Sequence, residues 1–550
     1  VADIFRIENK SHLFMTHIIK SNILMWPLLI LLAAPSYSQQ LWERSQEKDF
    51  SEEITITVDE AIQLALVNNH MIRIGLLDVE NAEAQIKEAW GTVYPQLSAS
   101  GNYTRNLKAP NPFAGSDAGS IFETLGALDW IAFNENARTD DNPDTNPIDF
   151  AEYIDRQQQG YEDAGIAPPG TGGGNPFAVE NQFQFGVSLS QTLYSGAAFA
   201  AIRGAQKVRE LNDIETEVNR QSVVNQIKNS FYTALLAKRQ AEVLRSSVER
   251  LAETVEETKK SVQAGVLSKF DRVSAEVELV NLETDLIEVE NQADLAVKNL
   301  ALQLGIPTKT VVNLRGSLEY DDSLRPEYFD TELSYELAAQ QRPDLQQTSK
   351  QIELLEVEGE ITRSSYRPTL SAFANATYIG QVPSDRTSVS PVEGEEFQFT
   401  SSERGFFSQS YWNPAVSVGL NLSWNLFNGF QTKMRVQQNK IAIRQAEINR
   451  NLQQNSIYLE IDQAVKSLET ALQRIQSQRR NIEQAELNYE FAVKRLKEGV
   501  GTPLQERQAS SLLDQSRLNY LSAVYDYLTA LSDYNRAIGK PIRIDQTNND

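Results

Sequence analysis

Cysteine is absent from the 550 residues. That excludes disulfides, a thiolate nucleophile, a thiolate metal site and an N-terminal lipid-modified cysteine. Histidine is nearly absent: of three in the chain, His12 and His17 precede residue 39 and only His70 follows it. The partners usually needed for a catalytic triad, a zinc site or a histidine acid–base pair are therefore missing. His70 closes Asn68-Asn69-His70 and reads as a solvated helix-end residue. Beyond the N-terminal region no stretch approaches ~18 consecutive apolar residues, so any later membrane contact has to use strands. An excess of basic residues is missing too. Net charge is −23, and a nucleic-acid partner would need clustered Lys and Arg. The many acids form no paired-carboxylate constellation and read as a solvated helix face. No catalysis, cofactor or metal is expected.

The N-terminus carries an export pattern. Lys10, His17 and Lys20 make a basic lead, and Ile23 to Ala34 is an apolar run of about a dozen residues, too short to span a membrane. Ser36-Tyr37-Ser38 then offers small residues at −3 and −1, so residues 1–38 are expected to be a signal peptide.

The rest is a duplication. Ala61 to Tyr103 matches Ser334 to Ala376 at one constant offset, anchored by Leu64/Leu337, Ala65/Ala338, Pro95/Pro368 and Leu97/Leu370. Leu193-Tyr194-Ser195-Gly196 matches Leu426-Phe427-Asn428-Gly429, and Leu304-Gly305-Ile306-Pro307 matches Ile538-Gly539-Lys540-Pro541. Between these anchors, Ile227, Ser230, Ala234, Ala237, Ala241, Leu244, Val248, Leu251, Val255, Thr258 and Val262 step by alternating threes and fours. Ile461, Ala464, Leu468, Ala471, Ile475, Gln478, Ile482, Ala485, Tyr489, Ala492 and Leu496 do the same. Such spacing held over several heptads is a coiled-coil seam. Each half reads helix, strand, long connection, strand, very long helix, sharp turn, helix. The first helix is expected from Asp59 to Thr92 with Thr57 or Asp59 as its cap. The long helix is expected from Phe199 to Val262, broken at Gly265, with a return from Ser268 to Leu304. The repeats are placed at residues 39–314 and 333–541, joined by an equatorial connection at 315–332 and followed by a tail at 542–550.

Four strands are expected, near residues 96–105, 183–194, 369–380 and 415–427. Phe183, Phe185, Val187 and Leu189 alternate with Gln184, Gly186 and Ser188, while Val416, Val418, Leu420 and Leu422 alternate with Ser417, Gly419 and Asn421. Runs of about ten residues, apolar on one face and small and polar on the other, suit a tilted membrane strand. Four strands cannot close a barrel, and lipid tolerates no open edge, so the barrel must be shared among chains. The connections at about 106–182 and 381–412 read as extracellular loops, the glycine-rich Pro168 to Gly174 as a flexible one.

Val58-Asp59-Glu60-Ala61-Ile62, Asn68-Asn69, Tyr94-Pro95, Arg342-Pro343-Asp344-Leu345, Leu422-Ser423-Trp424-Asn425-Leu426-Phe427-Asn428-Gly429 and the two glycine turns together resemble the TolC-like outer-membrane efflux protein family. The resemblance implies a mainly α chain with transmembrane β: two tandem repeats of long coiled-coil helices plus four strands. Three such chains would share a 12-stranded β-barrel and an α-helical periplasmic tunnel. It further implies a homotrimer in outer-membrane lipid, a periplasmic adaptor protein and an inner-membrane pump of RND, ABC or MFS type, the channel passively conducting exported substrates in efflux or type I secretion. By the same resemblance Gly265, Val266 and Leu267, with Gly499, Val500, Gly501 and Thr502, would be adaptor-docking tips. Asp271, Ser274, Gln505 and Gln508 would line the periplasmic entrance. Some relatives carry two aspartates where this chain has Gln505 and Gln508, so an acidic ring is not expected at the second tip. The rival reading is a pore-less periplasmic coiled-coil scaffold, which explains the seams but not the alternating strands.

Overall fold

The computed structural model describes residues 53–107, 119–140, 145–166, 180–321, 325, 330–384 and 386–542. The expected signal peptide, the Pro168–Gly174 stretch and the tail beyond Ile542 lie outside them. The first repeat contains β1 (Glu53–Ile56), α1 (Val58–Asn68), α2 (His70–Gly91), β2 (Gln96–Arg105), α3 (Gly119–Thr139), α4 (Phe150–Asp163), β3 (Asn181–Tyr194), α5 (Gly196–Gln263) and α6 (Lys269–Leu304). After β4 (Val311–Leu314), the second contains α7 (Thr331–Gln341), α8 (Pro343–Ser364), β5 (Thr369–Val382), β6 (Thr387–Val392), β7 (Glu395–Glu403), β8 (Trp412–Ser423), α9 (Gln431–Lys497) and α10 (Pro503–Ala537). Two compact units cut across these repeats. Among the described residues one gathers 53–74, Glu217–Arg342 and 456–542; the other holds Gly75–Thr216 and Pro343–Asn455.

The second of these units is built on one antiparallel sheet of order β2-β3-β5-β8. Its register sorts the side chains. Leu97 pairs with Leu189, Val187 with Ala376, Ala376 with Val416, and Leu370 with Leu422. Because strand side chains alternate, these residues share one face, and Ser98, Ser188, Asn375 and Ser417 share the other. Ser98 and Ser188 hydroxyls hydrogen-bond at 2.6 Å across the polar face. One aromatic interrupts that face: Phe373 lies over Gly419, where any Cβ would come within 2.6 Å of its ring.

The two inter-strand connections, read from sequence as loops, hold more structure than that. Phe133, Ile148 and Tyr153 form a buried cluster with Trp130, Ile154 and Phe397 packed on it. Asp149 caps α4 by accepting from Glu152 N at 2.8 Å. Tyr161 stacks on Phe399 at 4.1 Å, which joins α4 to the β6–β7 hairpin. Polar composition hid a few aromatics whose partners lie over 200 residues away in sequence.

In the helical unit the expected seam is formed: Ile227, Ala234, Ala241, Leu251, Val255 and Thr258 are buried, as are Ile461, Ala464, Leu468, Ala471, Ile475 and Ala485. Thr57 caps α1 in a capping box with Glu60, and its repeat mate Asp330 caps α7. The first helix is not continuous to Thr92. It breaks at Asn69, which leaves helical geometry at ψ 132°. The Asn69 side chain donates to Gln303 O at 2.6 Å and accepts from Met71 N at 2.8 Å. His70, exposed, opens α2. The second repeat breaks at the equivalent Arg342, whose guanidinium donates to Glu460 and to Ala537 O.

Each break receives the end of a returning helix. Gly305, at φ 74°, stops α6 so close to α1 that a Cβ would stand 2.2 Å from Asn68 O. Gly539, at φ 68°, does the same against Arg342. A Cβ at Gly305 would add left-handed strain to a clash with backbone that no rotamer relieves. Gly305→Ala should therefore cost about 2–3 kcal/mol. Gly265→Ala, equally left-handed but with open space around it, should cost only about 1 kcal/mol. The thermal unfolding midpoints of the two variants in detergent would separate these cases.

Candidate functional site

No described helix is long and apolar enough to cross a membrane. The sheet, however, presents an apolar face that is open to its surroundings. Val416, Val418, Leu420 and Leu422 alternate along β8 and Val418 is 77% exposed, with Phe185, Val187 and Leu189 exposed on the same face of β3. Four such residues on one strand, with no covering layer described, would be an aggregation hazard in water. Aromatic rings gather at both strand ends. At one end Trp412 stacks with Tyr378 at 4.9 Å and Phe183 at 5.7 Å, and its indole donates to Phe406 O at 2.8 Å. At the other, Trp424 donates to Tyr366 O at 3.0 Å and Phe427 meets Phe430 edge-on. An apolar band between aromatic rims is the profile of a strand in lipid, with amphipathic rings at the headgroups.

The helical tips lie in the other unit. Helix α5 ends in a Schellman turn: Gly265, at φ 77°, donates to Val262 O at 3.1 Å and Val266 donates to Ser261 O at 2.9 Å. Helix α9 ends the same way, Gly499 donating to Leu496 O and Val500 to Arg495 O. Three residues after each glycine a new helix is capped. Ser268 forms a capping box with Asp271, and Thr502 forms one with Gln505, Pro503 occupying the first turn. Leu267 and Gly501 bridge turn and cap. Asp271 accepts from Ser268 Oγ at 2.6 Å and from Ser268 N at 3.1 Å. Those bonds, with the nearby Arg507 charge, hold its carboxyl below the ordinary aspartate range. Of the four candidate entrance residues, Asp271 and Ser274 are half-buried and Gln505 and Gln508 exposed.

Two charged contacts behind the tips escaped the sequence reading. Arg250 on α5 places a guanidinium nitrogen 2.5 Å from both oxygens of Asp514 on α10, and Asp514 also accepts from Ser247 at 2.6 Å. Arg507 on α10 donates to Glu278 on α6 at 3.0 Å. Arg250 and Asp514 each sit one position from a buried leucine, Leu251 and Leu513, and in sequence such positions read as charged flanks.

The sequence matches the model for outer membrane efflux proteins over residues 171–306 and 334–540. The chain belongs to the outer membrane efflux protein family. Solved structures agree in fold. The CmeC outer membrane channel of Campylobacter jejuni shares 15% identity at a TM-score of 0.61, covering 90% of each chain. CusC shares 16% at 0.62, covering 90% of this chain and 95% of its own. The outer membrane protein VceC of Vibrio cholerae shares 14% at 0.60, covering 88% and 96%. No curated protein matches the chain in sequence.

As a family member, the protein is an outer-membrane channel subunit in efflux, its helical tunnel lying in the periplasm. Family channels are trimeric and work with adaptors and inner-membrane pumps, and the family is one of transport proteins. The sheet carries this assembly in its edges. Among the described residues β2 and β8 each pair on one side only, and closure of three such sheets into one barrel would satisfy the remaining edges in lipid.

The Arg250–Asp514 pair yields a test. Removing one partner leaves the other charge buried, whereas replacing both with apolar residues removes the desolvation cost as well. Arg250→Ala should cost about 3 kcal/mol and Arg250→Met with Asp514→Leu less than about 1 kcal/mol, read from unfolding midpoints.

Proposed function

We propose that this channel is the exit duct of a pump assembly that docks at the two glycine tips. The observation that carries the duct reading is the division of the sheet into one apolar and one polar face with unpaired edges on β2 and β8. The apolar face would meet outer-membrane lipid and the polar face the conducted water. Residues 1–38 would be removed on export. Adaptor docking would fall on Gly265, Val266 and Leu267 and on Gly499, Val500, Gly501 and Thr502. Val266, Phe270, Val500 and Leu504 support this, since they leave exposed apolar surface at both turns. The inner-membrane partner would be an RND, ABC or MFS pump.

A test follows from backbone geometry. Gly499 stands at φ 73° and its amide donates to Leu496 O. Proline can neither adopt that φ nor donate. Gly499→Pro should abolish export, measured as accumulation of a fluorescent efflux substrate, while the trimer still assembles in outer-membrane fractions. Normal export would sink the docking assignment.

The entrance would be lined by Asp271, Ser274, Gln505 and Gln508. Since both glutamines are neutral, the second tip offers no carboxylate ring. Asp271 is tied into its own cap, and exposed pairs around it contribute at most about 1 kcal/mol. Multivalent cations should therefore block single-channel current only weakly from the periplasmic side. Gln505→Asp with Gln508→Asp should strengthen the block by concentrating charge in a narrow constriction. Strong block of the unaltered channel, unchanged by Asp271→Asn, would place the selective ring elsewhere.

A further inference from the structure

Buried polar side-chain atoms without a hydrogen-bond partner concentrate behind the tips. Among the described residues they include Arg272 Nε, Glu506 Oε2 and Arg507 Nη1, all in the first turns of α6 and α10. Glu506 is 8% exposed and Arg507 6%. A buried carboxylate is costly unless a cation is committed to it; the charges of Arg507 and Arg250 favour its ionised form, but each of these cations hydrogen-bonds a different carboxylate. Arg507 gives its Nε to Glu278 on α6. Arg250 on α5 is held by both oxygens of Asp514. The remaining groups facing Glu506 are the Tyr489 hydroxyl from α9, which bonds it, and the Glu257 carboxylate from α5, which repels its charge.

We propose that Glu506 is a proton-responsive gating residue: protonated, it lets α10 pack against α5 and α9 and holds the tip shut; ionised, it loosens that packing. Burial, which pushes the Glu506 carboxyl above the ordinary glutamate value, acts in the same direction. The packed tip binds the proton more tightly than a loosened, hydrated tip does. Packing is therefore fully favoured below the ordinary glutamate pKa and is lost as pH rises through the raised value. Within that window one group changes the packed-to-loosened ratio by up to about tenfold per pH unit, and a trimer carries three. The inference rests on reading the two glycine turns as the periplasmic entrance.

The experiment uses the full trimer in planar bilayers without a pump, with hydrogen–deuterium exchange across the α9–α10 turn as a parallel readout, corrected for intrinsic exchange. In the wild type, conductance and exchange should both rise as pH is raised from about 4.5. Glu506→Gln, isosteric and permanently neutral, should stay at the low acid-side level at every pH. Tyr489→Phe removes a bond that favours the ionised form and should move the wild-type midpoint to higher pH, which keeps the test open if the first variant assembles poorly. A wild-type profile in Glu506→Gln, or one abolished by Asp271→Asn instead, would overturn the proposal. The exchange readout does not depend on an adaptor. Normal export by Gly499→Pro would thus remove the docking assignment and leave the Glu506 result standing, whereas a flat exchange profile would remove only the Glu506 proposal.

Discussion

A backbone amide in hydrocarbon has no water to bond, and each unpaired one costs several kcal/mol. Most of this molecule follows from that constraint. Among the described residues the four-stranded sheet leaves β2 and β8 half-paired, so a single chain has no acceptable state in lipid and the channel exists only as an assembly. The same constraint explains the duplicated chain: each repeat supplies two antiparallel strands and one long helical hairpin, and β3 of the first repeat pairs directly with β5 of the second. With the backbone satisfied by closure, side chains are free to sort by face, as the register from Leu97 through Leu189 to Leu422 shows.

The helical unit solves a different problem. Very long helices joined by tight turns leave eight unsatisfied backbone groups at each turn. Schellman bonds at Gly265 and Gly499 satisfy two carbonyls of each outgoing helix, and capping boxes at Ser268 and Thr502 satisfy two amides at the start of each incoming one. Asp271 and Gln505 therefore do local structural work as cap partners wherever else they face. Behind the turns the seam of small and aliphatic residues gives way to charge, with Arg250 on Asp514 and Arg507 on Glu278. Such pairs add little net stability over apolar packing. They do make the packing of α10 dependent on electrostatics in a way that alanine and leucine cannot.

By itself the sequence determined the features that rest on local chemistry or on period. The seams from Ile227 and Ile461 and the strand alternation are periodic, and two repeats in register reinforced both. Gly265 and Gly499 were legible as turns because few residues other than glycine accept the left-handed conformation a Schellman motif needs. Both glycines do stand in left-handed turns between helices, although the cap bonds beside them were not foreseen. Tertiary structure decided the rest, because each remaining feature needs a partner remote in sequence. Asn69 looks like an ordinary helix-end residue until Gln303 and Gly305 arrive beside it. Phe133 and Tyr153 read as loop residues until Phe397 packs on them. Glu506 and Arg507 read as a solvated pair in a charged helix. Only the packing of four helices removes water from them, and burial is a property of that packing, which no window of sequence contains.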